Sequence, residues 1–271
     1  MSSPEVSQSS DHLLVERRGT VMLCTLNRPQ AKNAFSLEMM ARMADAWDES
    51  DRDDDVRVIV LTGAAGCFCA GADLKLMHGD QSADPWHARF RENPSLQWRA
   101  LMRSSRPKKP IIAAVEGFAI GGGTEILQGT DIRVAGESAT FGLSEVKWGL
   151  FPLGGSSIRL RRQIPVAKAM DLLLTGRLIK APEAERMGLL SRVVPDGTAL
   201  EEAMKIADQI AANGPLAVQA VKRSVIETDG MSEEDALARE LEIGWPILST
   251  EDGREGPRAF MEKRKPVFKG R

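Results

Sequence analysis

The chain has no tyrosine, only three histidines (His12, His78, His87) and only three cysteines (Cys24, Cys67, Cys69). The first absence excludes any reductase that protonates its substrate through a tyrosine. Three cysteines, two of them separated by a single residue, cannot build a disulfide framework and suit a reduced, cytoplasmic setting. No cluster of His and Cys has the spacing of metal ligands, so neither a metal nor a redox cofactor is expected. No run approaches the ~20 apolar residues that cross a bilayer. The 36 Lys+Arg against 38 Asp+Glu leave a formal charge of −2, which offers no footprint for nucleic acid or an acidic membrane surface. What remains is a chain of 271 residues, 42% of them hydrophobic, long enough for one compact domain or one domain with a small appendage. Residues 1–10 are polar, without a basic segment or an apolar run, and read as a short disordered leader rather than a signal peptide.

Periodicity then orders the chain. Leu13-Leu14-Val15 and Val21 to Leu26 flank Arg17-Arg18-Gly19-Thr20, the pattern of a hairpin. Ser36 stands as an N-cap before an apolar stripe on Leu37, Met39, Met40, Met43, Ala44 and Trp47, which predicts a helix ending in the acidic run 51–55. Val56 to Leu61 and Ile111 to Val115 are near-continuous apolar runs, as in strands covered on both faces. A helix is predicted over 95–105, and Gly117 to Gly123 reads as a break before a short helix at 124–128. Two further strands are expected at 131–135 and 139–141. From Gly154 onward the pattern is almost wholly helical, with prolines as punctuation. Together these features describe a core built of βαβ units with a helical C-terminal section.

Two segments share one layout, a buried strand running into a glycine-rich turn. They are Phe68-Cys69-Ala70-Gly71-Ala72-Asp73-Leu74 and Gly117-Phe118-Ala119-Ile120-Gly121-Gly122-Gly123-Thr124-Glu125. Two such turns on neighbouring strands can aim two main-chain N–H groups at one oxygen; read by spacing alone, three glycines are equally a plain loop. Neither matches a phosphate-binding motif, and Leu153-Gly154-Gly155-Ser156-Ser157 is not a nucleophile elbow. Glu125 in an apolar helix start, and Glu145 beside Val146, Trp148, Leu150 and Phe151, are carboxyls that poor solvation would suit to proton exchange near neutral pH. Each is also readable as a capping or ion-paired glutamate. Cys67 and Cys69 read as small packing residues, His78 and His87 as solvent-facing.

Four segments in order, Asn27-Arg28-Pro29 with Asn33-Ala34, Phe68 to Leu74, Gly117 with Gly121-Gly122-Gly123 and Glu125, and Phe141-Gly142 with Glu145, resemble the crotonase superfamily, specifically its enoyl-CoA hydratases. The likeness runs from about Leu13 to Phe268. It implies an α/β crotonase-like fold: a repeated ββα-type spiral core over 11–200 and a helical trimerisation region over 201–271. It implies reversible syn hydration of a trans-2-enoyl-CoA to the 3-hydroxyacyl-CoA, in fatty-acid or steroid side-chain β-oxidation. The resemblance places oxyanion donors on Ala72 and Gly122, with Glu125 activating the water and Glu145 delivering the proton. It lays Ala70, Ala72, Asp73, Leu74, Lys75, Gly121 and Gly122 along the CoA thioester. Lys32, Trp148, Phe260 and Lys263 are further contacts, the last two from a neighbouring subunit of a homotrimer or homohexamer. Coenzyme A enters only as part of the substrate. An isomerase that moves a double bond with one glutamate, and a catalytically silent acyl-CoA binder, are the alternatives. Leu150-Phe151-Pro152-Leu153-Gly154-Gly155-Ser156-Ser157 departs from the Gly-rich stretch usual in fatty-acid hydratases, and with Lys147-Trp148 it looks like bacterial hydratases of steroid side-chain breakdown.

Overall fold

The hairpin forms as expected in the computed structural model, which describes residues 11–73, 79, 82 and 84–271. Strands β1 (Leu13–Arg18) and β2 (Val21–Leu26) pair antiparallel around a turn in which Gly19 takes φ +62°. Beyond β2 the sheet continues in parallel with β3 (Val58–Gly63), β4 (Ile111–Val115), β6 (Ile132–Gly136) and β9 (Arg192–Val194), in the order β1-β2-β3-β4-β6-β9. A smaller sheet holds β5 (Phe118–Ile120), β7 (Thr140–Gly142) and β8 (Leu178–Lys180). β4 runs into β5 and β6 into β7, so the chain repeats one step: a strand in the large sheet, a turn, a short strand beside the previous short strand.

The apolar runs are continuous because both faces of the large sheet are covered. On one face Ile59, Leu61, Ile111 and Ala113 pack with helix α1 (Leu37–Arg52), through Met39, Met43 and Trp47. On the other, Val58, Val60, Ile112, Ala114 and Val134 pack against Ala199, Ala203, Ile206 and Ala207. The start of α1 is fixed by Ser36, whose hydroxyl accepts from Met39 N–H at 3.1 Å, and its far end by Trp47, whose indole N–H donates to Ala100 O at 2.9 Å.

The remaining helices are α2 (His87–Glu92), α3 (Leu96–Ala100), α4 (Gly122–Leu127), α5 (Ser156–Gln163), α6 (Val166–Thr175), α7 (Ala181–Arg186), α8 (Ala199–Ala211), α9 (Pro215–Glu227), α10 (Glu233–Gly244) and α11 (Glu251–Met261). Three expectations need correction. The helix predicted over 95–105 stops at Ala100, and Met102 takes φ +53°, which no helix continues through. The break at 117–123 contains β5, and α4 begins two residues earlier than expected. The chain after Gly154 is not all helix: β8 and β9 are three residues each, with exposed ends too short to show an alternating pattern. The expected leader, residues 1–10, and much of the segment 74–83 lie outside the described residues.

The end of the chain is tied back to the sheet by polar contacts. Arg57, just before β3, donates to Ala211 O at the end of α8 and to Phe268 O, both at 2.8 Å. On α11, Asp252 accepts from Lys269 and Gly270 N–H at 2.7 and 2.8 Å. Replacing Arg57 with alanine removes two charge-assisted donors from main-chain oxygens, a loss of about 2 kcal/mol. The expected outcome is a melting temperature lower by roughly 5 °C in calorimetry, with earlier tryptic release of the C-terminal tail; an unchanged Tm would show that the tail is held elsewhere.

Candidate active site

Cys69, at the end of the first glycine-rich turn, and Ala119 in β5 form an isolated parallel bridge. Cys69 N–H donates to Phe118 O at 2.8 Å and Ile120 N–H to Cys69 O at 3.0 Å. This pairing draws the two turns so close that side chains are excluded. A methyl group at Gly71 would lie 2.6 Å from Ile120 O and 3.1 Å from Gly122 N, and one at Gly123 would lie 2.3 Å from Cys69 O. Gly71 and Gly121 also take φ values of +94° and +55°, which L side chains rarely adopt. A Cβ on Gly122 would stand 3.7 Å from Ala72 N and 3.1 Å from the Phe35 ring. The N–H groups of Ala72 and Gly122 are thus neighbours, and among the described residues neither donates to a protein acceptor. Gly122 opens α4, where the first N–H has no intrahelical partner.

The loop after β2 braces the first turn. Asn33 is fully buried at φ +54°; its amide donates to Ala64 O at 3.0 Å and Cys67 O at 2.5 Å, and its oxygen accepts from Arg28 N–H at 2.8 Å. Arg28 then reaches Asp73 at 2.5 Å. Asp73, expected along a thioester arm, is thereby engaged with a neighbouring arginine. Lys32 lies on the same rim: its carbonyl accepts from Ala70 N–H at 3.0 Å, and its ammonium stands 5.4 Å from the centre of the Phe118 ring.

Two carboxyls face this pair of turns. Glu125, on α4, is 5% exposed, and its N–H donates to Gly121 O at 3.0 Å. Its carboxylate packs on Gly154, where a Cβ would come within 2.7 Å of Oε2, and Oε1 accepts from Ser156 N–H at 3.3 Å. Glu145 lies over the other side of Gly121, where a Cβ would come within 3.1 Å of its Oε1. Its Oε2 is buried and has no hydrogen-bond partner among the described residues. Burial pushes Glu125 above the usual carboxylate range, opposed by the N–H groups of Gly154, Ser156 and Gly155 and by the Ser156 hydroxyl. Burial pushes Glu145 up to about 7, opposed by its own backbone N–H, with the charge of Glu125 adding to the rise. Glu125 is held by several donors that favour its ionised form, Glu145 by its own backbone N–H alone.

The reason expected for the poor solvation of Glu145 is corrected here. Val146, Trp148 and Phe151 point outward, Trp148 with 72% of its surface exposed, so they do not bury the carboxyl. Trp148 instead joins Phe151 and Leu153 in an exposed apolar stretch after the Glu145–Trp148 turn. Leu74, Lys75 and His78 lie outside the described residues. Phe260 (85% exposed) and Lys263 lie at the end of α11, and no contact among the described residues joins them to the turns. Cys69 is fully buried and its thiol is pushed up to about 12 by burial, as befits a packing residue. Sequence reading missed Ser156 beside Glu125, Gln128 behind Ser156, and Phe35 against Gly122. Only the Gly154-Gly155-Ser156 run, which lets α5 start against Glu125 with Gly155 at φ +116°, carried a signal that could have found the first.

Comparison with known proteins shows the family. A family model described as enoyl-CoA hydratase/isomerase matches residues 16–271. The enoyl-CoA hydratase EchA19 of Mycobacterium tuberculosis is 55% identical over 97% of this chain and 98% of its own. The 2,3-dehydroadipyl-CoA hydratase of Escherichia coli is 37% identical over 96% of this chain and 99% of its own. Among solved structures, an enoyl-CoA hydratase from Mycobacterium tuberculosis superposes with a TM-score of 0.87 at 40% identity, covering 96% of this chain and all of that one. The mixed α/β core with its helical C-terminal region is the crotonase fold of these structures.

The raised Glu145 carboxyl makes a signed prediction about stability. Its folded pKa of about 7 lies above the ordinary 4.5, so it contributes stability that is complete below pH 4.5 and lost as pH rises through 7. Glu145→Gln removes this loss. With allowance for solvent screening, the variant should gain on the order of 1–2 kcal/mol at pH 8, raising Tm by ~3 °C, and nothing at pH 4.5. Equal Tm values for variant and parent at pH 8 would contradict the assignment.

Proposed function

The chain belongs to the enoyl-CoA hydratase/isomerase family, and we propose that it catalyses the reversible syn hydration of a trans-2-enoyl-CoA to the 3-hydroxyacyl-CoA. The observation that carries this reading is a pair of poorly solvated carboxyls that feel each other's charge, Glu125 at the start of α4 and Glu145 against Gly121, beside the N–H groups of Ala72 and Gly122, which have no protein acceptor among the described residues. The thioester carbonyl oxygen accepts from both N–H groups, which draws electron density from C3 and stabilises the enolate that forms on attack. Ionised Glu125 takes a proton from the water as its oxygen bonds to C3. Protonated Glu145 gives its proton to C2 as the enolate collapses. The elements of one water are thus added across the double bond, and the proton gained by Glu125 restores Glu145 for the next turn. The chemistry draws only on main-chain N–H groups and two carboxyls, with coenzyme A entering as part of the substrate.

An isomerase that moves a double bond between carbons 3 and 2 needs one carboxyl to carry a proton, and the second at Glu145 favours hydration over it. A silent acyl-CoA binder has no use for two ionisable groups kept at a cost to stability. The thioester arm of the substrate runs past Ala70, Ala72 and Asp73, with Lys32 on the rim for the phosphates. Trp148, Phe151 and Leu153 offer exposed apolar surface to the acyl tail, which supports a bulky fatty acyl or steroid side-chain substrate.

A homotrimer or homohexamer completes the reading. A groove of about 450 Å³ between α9 and α10, lined by Val221, Val225, Leu241, Trp245 and Leu248, exposes apolar surface that a second copy would cover. Phe260 and Lys263 are then presented to a neighbour.

Adding the protein to crotonyl-CoA or a longer homologue should remove the absorbance of the conjugated enoyl thioester. Glu125→Gln and Glu145→Gln should each lower kcat by roughly 10² or more. Near-parental rates in both variants would sink the assignment, and turnover confined to the 3-enoyl ester would identify an isomerase. Light scattering should give three or six times the 29.6 kDa chain mass; a monomer would overturn the assembly.

A further inference from the structure

The backbone N–H groups around Glu125 are one half of its surroundings; the other is a buried side-chain relay that leads away from the substrate. Gln128 and Ser156 are both fully buried. The amide Nε2 of Gln128 donates to Ser156 Oγ at 2.7 Å and to Thr124 O at 3.4 Å, while its Oε1 has no partner among the described residues. The amide cannot turn over without placing an oxygen against the Thr124 carbonyl, so the nitrogen is the atom that faces Ser156. With its oxygen accepting from that nitrogen, the Ser156 hydroxyl must send its own hydrogen elsewhere. The group beside it is the Glu125 carboxylate, which accepts Ser156 N–H at 3.3 Å.

We propose that Ser156 and Gln128 are positioning residues for Glu125: Gln128 sets the direction of the Ser156 hydroxyl, and that hydroxyl holds the Glu125 carboxylate in its ionised form and in one orientation. The proposal rests on Glu125 being the base of the hydration reading. Charge-assisted hydrogen bonds of this kind are among the stronger ones, and a buried carboxylate feels the loss of each. The charged groups that face Glu125 from the packed elements are Glu145, on the turn after β7, and Arg159, one turn further along α5. Neither is changed by substitutions at 156 or 128.

The test uses the full-length chain and two readouts. In Ser156→Ala the acid limb of the kcat/KM profile for crotonyl-CoA hydration should move to higher pH, because a donor to the charged form is gone. Its kcat should fall about tenfold with KM within about twofold. Gln128→Leu should move the limb the same way but less, and Ser156→Thr, which keeps the hydroxyl, should restore both values. The second readout needs no turnover: the Glu125 carboxyl, followed by carbon-13 NMR and assigned with Glu125→Gln, should titrate at higher pH in Ser156→Ala than in the parent. An unmoved titration would overturn the proposal whatever the enzyme does. If the parent fails to hydrate any enoyl ester while the NMR shift is seen, the hydration reading fails and the coupling of Ser156 to Glu125 stands.

Discussion

The close approach of the two glycine-rich turns is the contact on which the site depends. Cys69 and Ala119 pair through main-chain hydrogen bonds, and at Gly71 and Gly123 beyond them the opposite backbone is too near for a Cβ. Gly71 and Gly123 are required by contact distance with the opposite backbone, Gly121 by its φ of +55°. The same approach sets Ala72 N–H beside Gly122 N–H and starts α4 where its first N–H has no carbonyl to bond among the described residues. A methyl group at Gly71 or Gly123 would push the turns apart and separate the two donors. The large sheet exists, from the point of view of the site, to hold β3 and β4 in parallel so that both turns leave it on the same side.

The two carboxyls are divided by what surrounds them. Both are short of water, which favours the neutral acid. Glu125 sits against the start of α5, where three N–H groups and a hydroxyl favour the carboxylate. Glu145 has a buried oxygen with no donor among the described residues and a negative neighbour, and its proton is correspondingly hard to remove. The difference between them is therefore produced by one helix start. A protein selected for stability alone would not retain an unpartnered carboxyl oxygen of this kind. Its presence marks the site as surely as the motif around it.

Much of the fold was readable in the residues. The unbroken apolar runs of β3 and β4 announced strands covered on both faces, and Ser36 announced the start of α1. The three-residue strands β8 and β9 could not be read, because a strand that short carries no alternation. Met102 has no local signal for the left-handed conformation that ends α3. In the site, Glu125 and Glu145 were singled out by motif order, but the reason assigned to Glu145 was wrong. An apolar neighbour in sequence is not an apolar neighbour in space, and Trp148 turns outward from the carboxyl two turns of reading would have buried beneath it.

What the sequence determined by itself was the set of parts: covered strands, two small-residue turns, two glutamates, and a family whose order of motifs they follow. These are properties of residue type and spacing, which survive without coordinates. Which groups meet was decided only by the tertiary structure. Ala72 and Gly122 are fifty residues apart and Glu125 and Ser156 thirty-one, and no local preference links them. They are brought together by the parallel crossovers of the sheet and by the start of α5 against α4, and burial then sets the protonation that the chemistry needs.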